Sequence, residues 1–228
     1  MVTLKLSGDD SRNITSGRVL LPRTGIWIAN LRVNATDDLP DRVVLDLGVT
    51  EMPATISKSE LIGGTTEVRL VGGAGGLGEA PRPKHYHRPL VKHVLADLLR
   101  DAGETLSPTS TASVLATELE AWTTVARTGV RSTPVPTGSI LAALCAVAGS
   151  GVNWRVLGDG SVWIGTETWP DAAVDVRSID NDGPNAAALV GTDIPGLWPG
   201  TLLGGRKVDY VCHDLDANRT TVLFAEGL

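Results

Sequence analysis

The sequence is poor in the residues that stabilise small disulfide-rich or zinc-binding domains. Its 228 residues contain only two cysteines, Cys145 in a helix-like stretch and Cys212 in a strand-like stretch. Two such separated cysteines form neither a disulfide framework nor a zinc-ligand spacing. Both are therefore expected to be small buried residues.

Long hydrophobic runs and a basic excess are also missing. Residues 1–20 have no apolar core of signal-peptide length, and no stretch approaches the roughly 20 apolar residues of a membrane helix. We therefore expect the chain to be made and folded in a cytoplasm. The net charge of -6 argues against a nucleic-acid-binding surface. The basic, histidine-containing run 82–93 is short and interrupted by proline, which favours a solvated or subunit-facing linker.

What is present is an ordinary globular composition with unusual aromatics. Hydrophobic residues make up 42% of the chain and charged residues 20%, so a packed core is expected. There are six tryptophans but only one phenylalanine and two tyrosines. Tryptophan combines a large apolar surface with one N–H group, which suits both a core and a half-wet interface. Core packing is the simpler interpretation of each one, and contact with a partner chain is the alternative.

The first third of the chain has the pattern of a small β barrel or sandwich. Short runs rich in Val, Leu, Ile and Thr are separated by Gly, Pro and Asn, which is typical of strands and turns. The predicted strands are 2–6, 17–21, 26–33, 42–47 and 65–71, with a turn at Pro53 among those that separate them.

The centre changes to helices and one hairpin. Glycines at 72–78 and prolines at 81, 83 and 89 predict a linker and a domain boundary near residue 85. Periodic apolar residues predict helices over 89–101, ended by Gly103, over 111–126, and over 139–148, capped by Thr137 or Gly138. A loop is expected at 128–136. Asp159-Gly160 between alternating residues predicts a hairpin of 152–157 with 161–165.

The last third returns to β structure, with predicted strands at 174–179, 187–192, 207–213 and 220–225 and turns at 181–185 and 214–218. The fold class is therefore α+β and mainly β, with two small β-barrel units flanking a central helix/helix/β-hairpin unit. The expected domains are 1–84, 85–170 and 171–228.

A glycine string raises the possibility of a cofactor site. Gly73-x-Gly75-x-x-Gly78 follows a predicted strand and matches a dinucleotide-binding pattern. That pattern requires a helix directly after it, whose N-terminus holds the pyrophosphate. Pro81 and Pro83 follow instead, which favours a tightly turned loop, and no cofactor is expected.

Other candidate chemistry lacks the surroundings it needs. His85 and His87, with His93 or Asp97 as a third ligand, are a conceivable metal site, although surface histidines are the simpler interpretation. His213 has no nucleophile at an identifiable spacing. No Gly-x-Ser-x-Gly elbow occurs, and Cys145 lies in an apolar helix. We expect neither catalytic nor metal-binding residues.

The central block carries a family resemblance. The helix 89–101 with Val-Leu-Ala-Asp-Leu-Leu-Arg-Asp-Ala-Gly at its end, the helix 139–148 and the hairpin of Asn153-Trp154-Arg155-Val156 with Val162-Trp163-Ile164 look like the middle of phage tail hub proteins. Residues 18–31 and 199–213 look similar to the flanking β parts of such hubs. The family is that of the late control protein D type and the hubs of contractile baseplates.

The resemblance implies a structural protein of the virion tail or baseplate that has no active site. Such hubs are homotrimers whose barrels form a ring of pseudo-sixfold symmetry, joining the hexameric tail tube to a trimeric spike. Trp27, Trp198 and the loop glycines Gly73, Gly75 and Gly78 are the expected interface residues. Two alternatives remain, a small metal-dependent hydrolase and a carbohydrate-binding surface module whose exposed tryptophans are Trp122, Trp154, Trp163 and Trp169.

Overall fold

The computed structural model of the protein describes residues 2–6, 10–124, 126–128, 131–133, 135–181 and 185–225. The chain forms two compact units, one of residues 1–72 with 168–228 and one of residues 73–167. We call them the sheet unit and the central unit.

The sheet unit begins with a closed six-stranded barrel, which confirms the mainly β fold class. Its strands are β1 (Thr3–Lys5), β2 (Ser11–Pro22), β3 (Ile28–Val33), β4 (Arg42–Asp46), β5 (Glu51–Ile62) and β6 (Thr65–Gly72). They pair antiparallel in the order β1-β4-β5-β6-β3-β2, and β2 also pairs with β1. Alternate residues such as Val19, Leu31 and Leu70 are buried, as the two-residue period of a half-buried strand requires.

β5 is the barrel strand that the sequence pattern does not predict, because Pro53 is predicted to lie in a turn. Proline has no N–H group to donate to a sheet, so it normally marks an edge or an end. Here Pro53 lies opposite Val44 of β4, and pairing with β6 begins only at the next residue, Ala54. The proline therefore sits where the strand has one neighbour.

The central unit contains β7 (His85–His87), α1 (Val91–Ala102), α2 (Ala112–Leu115), β8 (Ala121–Thr123), β9 (Ala126–Thr128), β10 (Arg131–Thr133), α3 (Thr137–Ala148), β11 (Val152–Val156) and β12 (Val162–Thr166). The helices α1 and α3 and the β11/β12 hairpin confirm three predictions. Gly103 ends α1 in the left-handed conformation (φ 69°), and its N–H donates to the carbonyls of Leu99 and Arg100. Asp159 Oδ1 accepts hydrogen bonds from the N–H and the hydroxyl of Ser161, which stabilises the hairpin turn.

The predicted helix over 111–126 is wrong. Among the described residues of this stretch, only the single turn α2 is helical, and the chain from residue 117 to 124 is extended. Arg88 N–H donates to the carbonyl of Glu120 at 3.0 Å, and Leu119 N–H donates to the carbonyl of Pro89 at 2.9 Å. Pairing with the chain before α1 therefore satisfies this backbone, and a short apolar pattern cannot distinguish the two outcomes. The expected loop 128–136 contains the last residue of β9 and all of β10, and residues 129, 130 and 134 lie outside the described residues.

The last strands complete the sheet unit. They are β13 (Val176–Asn181), β14 (Ala186–Gly191), β15 (Leu202–Leu203), β16 (Arg206–Asp214) and β17 (Arg219–Phe224). All except the two-residue β15 lie close to predicted segments. Of the predicted turn 181–185, residues 182–184 lie outside the described residues. β16 pairs with β2, setting Val211 opposite Leu21, and the order continues β16-β17-β14-β13. The first and last β segments thus share one sheet, while independent domains at 1–84, 85–170 and 171–228 stay a prediction.

Candidate interaction surfaces

The two tryptophans predicted at an interface have different surroundings in the sheet unit. Trp27 is 1% exposed. A Cβ on Gly72 would lie 2.3 Å from Trp27 Nε1, so the ring packs directly on the β6 backbone. Trp198 is half-buried, and its carbonyl accepts a hydrogen bond from the Thr201 hydroxyl at 2.8 Å. Trp27 is thus a core group of the single chain, and the interface role of both residues stays a prediction.

The glycine string forms a tight turn that binds a carboxylate of the chain itself. Gly73 and Gly75 have φ values of 79° and 85°, and a single 3-10 turn, Gly76–Gly78, follows. The N–H of Ala74 donates to both carboxylate oxygens of Glu104 at 2.9 Å, and Glu104 is 8% exposed. A Cβ on Gly73 would lie 2.6 Å from Glu104 Oε2. The internal carboxylate thus lies where a phosphate-binding loop would hold its ligand, and the interface role of Gly73, Gly75 and Gly78 stays a prediction.

The histidine segment presents its imidazoles to solvent. His85 and His87 are exposed on β7, and His93 is exposed on α1. Asp97, the other possible ligand, accepts a hydrogen bond from the Tyr86 hydroxyl at 2.9 Å and pairs with Lys84 and Arg100. Burial raises the pKa of Asp97, but these hydrogen bonds outweigh it and hold the pKa below its usual value. In the described part of the chain, no three His, Cys, Asp or Glu side chains come together as a metal site.

Buried groups elsewhere are held in their neutral forms. Burial raises the pKa of the Cys145 thiol to about 12 and also raises that of Cys212. Cys145 is buried as expected, whereas Cys212 is only half-buried. A neutral thiol is a poor nucleophile, so neither cysteine is activated for catalysis. Burial likewise lowers the pKa of His213 to about 4.

The tryptophans of the carbohydrate-binding alternative do not form one exposed platform. Trp154 and Trp163 are 5% and 7% exposed. Trp163 Nε1 donates to the carbonyl of Thr109 at 3.1 Å, and the Arg155 guanidinium lies 4.3 Å from the Trp163 ring centroid. Trp122 and Trp169 are half-buried. Stacking on a sugar requires an exposed ring face. The buried rings of Trp154 and Trp163 cannot provide one, so only two of the four tryptophans remain for the carbohydrate-binding alternative.

The sheet unit has a long outward face. Eight strands in the order β13-β14-β17-β16-β2-β3-β6-β5 pair antiparallel without a break. One face carries the core residues, including Leu189, Val222, Val211, Val19 and Leu31. We call the opposite face the outward face. Sequence reasoning missed it, because β5 and the pairing of β16 with β2 were not expected.

One half of the outward face is charged. A row of four side chains crosses β2, β3, β6 and β5, because each residue lies opposite the next on the neighbouring strand. In strand order the row is Arg18, Asn30, Arg69 and Lys58. Arg18 pairs with Asp214 at 2.9 Å, and Arg32 pairs with Glu67 at 2.6 Å. The row residues, with Arg32 and Glu67, line an open groove of about 870 Å³. Both signs of charge are mixed along it, which does not favour a strongly anionic ligand.

The other half of the outward face is largely uncharged. Leu20, Tyr210, Cys212 and Thr221 are half-buried there, and Leu223 is 44% exposed. A solvated sheet face normally alternates apolar inward residues with polar outward ones. Apolar side chains directed outward therefore mark a surface suited to contact with another protein.

Both ends of the eight-stranded sheet have open edges. β4 pairs with β5 only up to Thr55, and the last hydrogen bond between them runs from the Ile56 N–H to the Asp41 carbonyl. Residues 57–62 of β5 therefore pair with β6 alone among the described strands. β13 pairs only with β14 among the described strands. Residues 57–62 are exposed on both faces, and so are residues 177–180. Such edges are templates for pairing with another chain.

Comparisons with solved structures identify the class of this fold. The chain superposes on the 43 kDa tail protein of prophage MuSo2 from Shewanella oneidensis with a TM-score of 0.67 at 10% identity, covering 98% of this chain and 97% of that one. A tail protein from Neisseria meningitidis MC58 gives 0.60 at 14% identity, covering 99% and 96%. The fold is therefore that of phage tail proteins.

A third structure extends the likeness to secretion systems. The E. coli c3393 protein gives a TM-score of 0.66 at 9% identity, covering 99% of this chain and 77% of that one. It is described as a component of the type VI secretion system that is structurally similar to the T4 bacteriophage tail proteins gp27 and gp5. No protein-family model and no curated protein sequence matches the chain. No helix in the described ranges is long and apolar enough to cross a membrane.

Proposed function

We propose that the chain is a structural hub subunit of a phage tail or related injection device. It forms a homotrimeric ring that joins the tail tube to the spike or tip, and it resides in the virion tail or baseplate after assembly in the host cytoplasm. It has no active site, because its work is to match symmetries and to seal a channel. Its functional residues are therefore those of its interfaces with itself, the tube, the spike and other baseplate proteins.

The observation that carries the proposal is the fold likeness over nearly the whole chain. Tail proteins from two bacteria cover 98% and 99% of it, so the likeness includes the barrel, the central unit and the last strands together. A fold on its own does not define a function. Two surface features support the proposal further. The uncharged half of the outward face and the two open edges are exposed in the isolated chain, and neighbouring subunits in an assembly would cover them.

The test is the mass of the purified protein in solution. Size-exclusion chromatography with multi-angle light scattering should give about 72 kDa, three times the chain mass of 23.9 kDa. Negative-stain class averages should have threefold symmetry and a central hole. A monomer at all concentrations, with stoichiometric zinc and substrate turnover, would instead support the hydrolase and end the hub proposal.

A pair of matched variants tests whether the uncharged half of the outward face is used. Leu223→Lys places a charge on an exposed position of that face, and the side chain is already 44% exposed, so folding should survive. Val147→Lys makes the same kind of change at a 60% exposed position of α3. We expect Leu223→Lys to leave the trimer mass unchanged but to weaken binding of the co-expressed tail tube or spike protein, and Val147→Lys to leave both unchanged. Equal binding by both variants would show that this face does not contact those partners.

A further inference from the structure

We propose that copies of the chain join edge to edge, with β13 of one copy pairing antiparallel with residues 57–62 of β5 in the next, in the register that sets Lys58 opposite Asp180. This inference rests on the proposed function, since it names the contact that would close the ring.

The starting observation is that one sheet ends in two open edges. Beyond Thr55, β5 has a neighbour on one side only, and β13 has a neighbour on one side only, among the described residues. The exposed segment of β5 includes Leu61 and Ile62, at 59% and 42% exposure, and β13 includes Ile179 at 49%. Apolar side chains on unpaired strands expose a soluble protein to aggregation unless a partner covers them.

A second copy is the partner that this geometry fits. The sheet has eight strands including its two edge strands, and each strand runs antiparallel to its neighbour. The direction therefore reverses seven times from β13 to β5, so these two edge strands run in opposite directions. Rotation about a ring axis along the strands keeps strand direction and keeps outward faces outward. The β5 edge of one copy therefore meets the β13 edge of the next as an antiparallel pair. Head-to-tail contacts of this kind close into a ring when the rotation between neighbouring copies is a whole fraction of a turn.

The faces of the strands restrict the register. Lys58 lies opposite Arg69, and Glu60 opposite Glu67, so both point to the outward face. On β13, Ser178 lies opposite the 49% exposed Val190, which places Ser178 and Asp180 on the outward face as well. Outward residues must pair with outward residues, so neighbouring registers differ by two residues.

Charge then selects one of these registers. With Lys58 opposite Asp180, Glu60 faces Ser178 and no like charges meet. A shift of two residues in one direction sets Glu60 opposite Asp180, which is unfavourable. The opposite shift sets Lys58 opposite Ser178 and leaves no ion pair. Among the described residues, Lys58 forms an ion pair with Glu60 at 3.3 Å, and both side chains are more than half exposed, so Lys58 can reach the new partner.

Disulfide trapping tests this register. Glu60→Cys and Ser178→Cys in one chain place two thiols directly opposite each other across the proposed contact, where Cα atoms of antiparallel strands lie about 4.5–5.5 Å apart. Both positions are exposed, so the variant should fold. After mild oxidation, non-reducing electrophoresis should show covalent dimer and trimer. The matched control, Glu60→Cys with Asp180→Cys, is out of register by two residues and should cross-link at least tenfold less.

The single variants and a charge reversal complete the test. Glu60→Cys alone and Ser178→Cys alone should give no covalent dimer, since neither edge pairs with itself; a dimer from either would overturn the inference. Lys58→Glu should weaken the trimer about two- to fivefold, and adding Asp180→Lys should restore it. Wild-type protein, oxidised in the same way, shows whether the native Cys145 and Cys212 form any cross-link of their own.

The outcomes separate this inference from the proposed function. A trimer by light scattering with no in-register cross-link would overturn the edge pairing and leave the hub proposal standing. A monomer at all concentrations would remove the hub proposal and the edge pairing with it. A trimer with the in-register cross-link and without the control cross-link supports both.

Discussion

His213 makes the stability of the sheet unit depend on pH. Its side chain is 2% exposed on the core side of β16, between Val19 of β2 and Thr220 of β17. Nδ1 lies 2.8 Å from the Thr220 hydroxyl oxygen. Burial lowers the pKa of the imidazole from 6.5 to about 4, because the interior disfavours its charged form. The folded protein therefore holds this histidine neutral well below the pH at which the unfolded chain protonates it.

The sign and size of the effect follow from these two pKa values. Between them the unfolded chain binds one more proton than the folded protein, so the free energy of unfolding falls as pH falls below 6.5. The full loss is about 3 kcal/mol below pH 4, and about 2 kcal/mol of it is reached by pH 5. Several carboxylates with lowered pKa values, such as Asp46 and Asp214, remain charged at pH 5 and add little in this window.

The assay is urea unfolding at pH 7 and pH 5, followed by tryptophan fluorescence at one protein concentration. His213→Asn removes the titrating group while its amide can still hydrogen-bond to Thr220. It should lower the unfolding free energy at pH 7 but abolish most of the difference between pH 7 and pH 5. His87→Asn, at an exposed position, is the matched control and should keep the wild-type difference. If His213→Asn loses as much stability on acidification as the wild type, the reasoning about His213 is refuted.

Substitutions at three further positions have expected outcomes that thermal unfolding can measure. Gly72→Ala should cost about 1–3 kcal/mol, because its Cβ would lie 2.3 Å from Trp27 Nε1; an unchanged Tm would contradict the tight packing. Glu167→Ala should cost about 3–5 kcal/mol, because the Arg155 guanidinium, 13% exposed, would lose its buried carboxylate partner, and a loss under 1 kcal/mol would mean that solvent reaches the pair. Glu104→Gln should cost less than Glu104→Ala, since the amide oxygen can still accept from the glycine loop.

Local signals were sufficient for the elements that are stabilised by their own residues. Helix α1 follows from periodic apolar side chains and a glycine that can adopt φ 69° at its end. The β11/β12 hairpin follows from Asp159-Gly160, whose turn is closed by contacts within three residues. In both cases the deciding interactions lie within one segment of the chain.

The wrong predictions of secondary structure concern segments whose structure depends on pairing with distant parts of the chain. Residues 117–124 have an apolar pattern compatible with a helix, yet their backbone pairs with the chain before α1. β5 contains Pro53, which local rules place in a turn, but its neighbours on β4 and β6 make it a twelve-residue strand. Backbone groups must find partners, and partners some 30 residues away leave no local pattern.

The glycine string, Gly73 to Gly78, also combines a feature that local sequence predicts with a contact that only the tertiary structure shows. The sequence favoured a tightly turned loop over a dinucleotide site, because prolines stand where the helix of such a site would begin. Only the tertiary structure placed Glu104 against the loop, since a residue 30 positions away supplies the carboxylate.

The sequence by itself therefore determined a mainly β chain with two long helices, one hairpin and no recognisable catalytic motif, because composition, period and turn chemistry are local properties. Only the tertiary structure decided that the first and last β segments share one sheet. It also decided that Trp27 lies in the core and that the sheet ends in two open edges. Strand order and exposure depend on which distant segments pair, and that choice is made by the core they bury together.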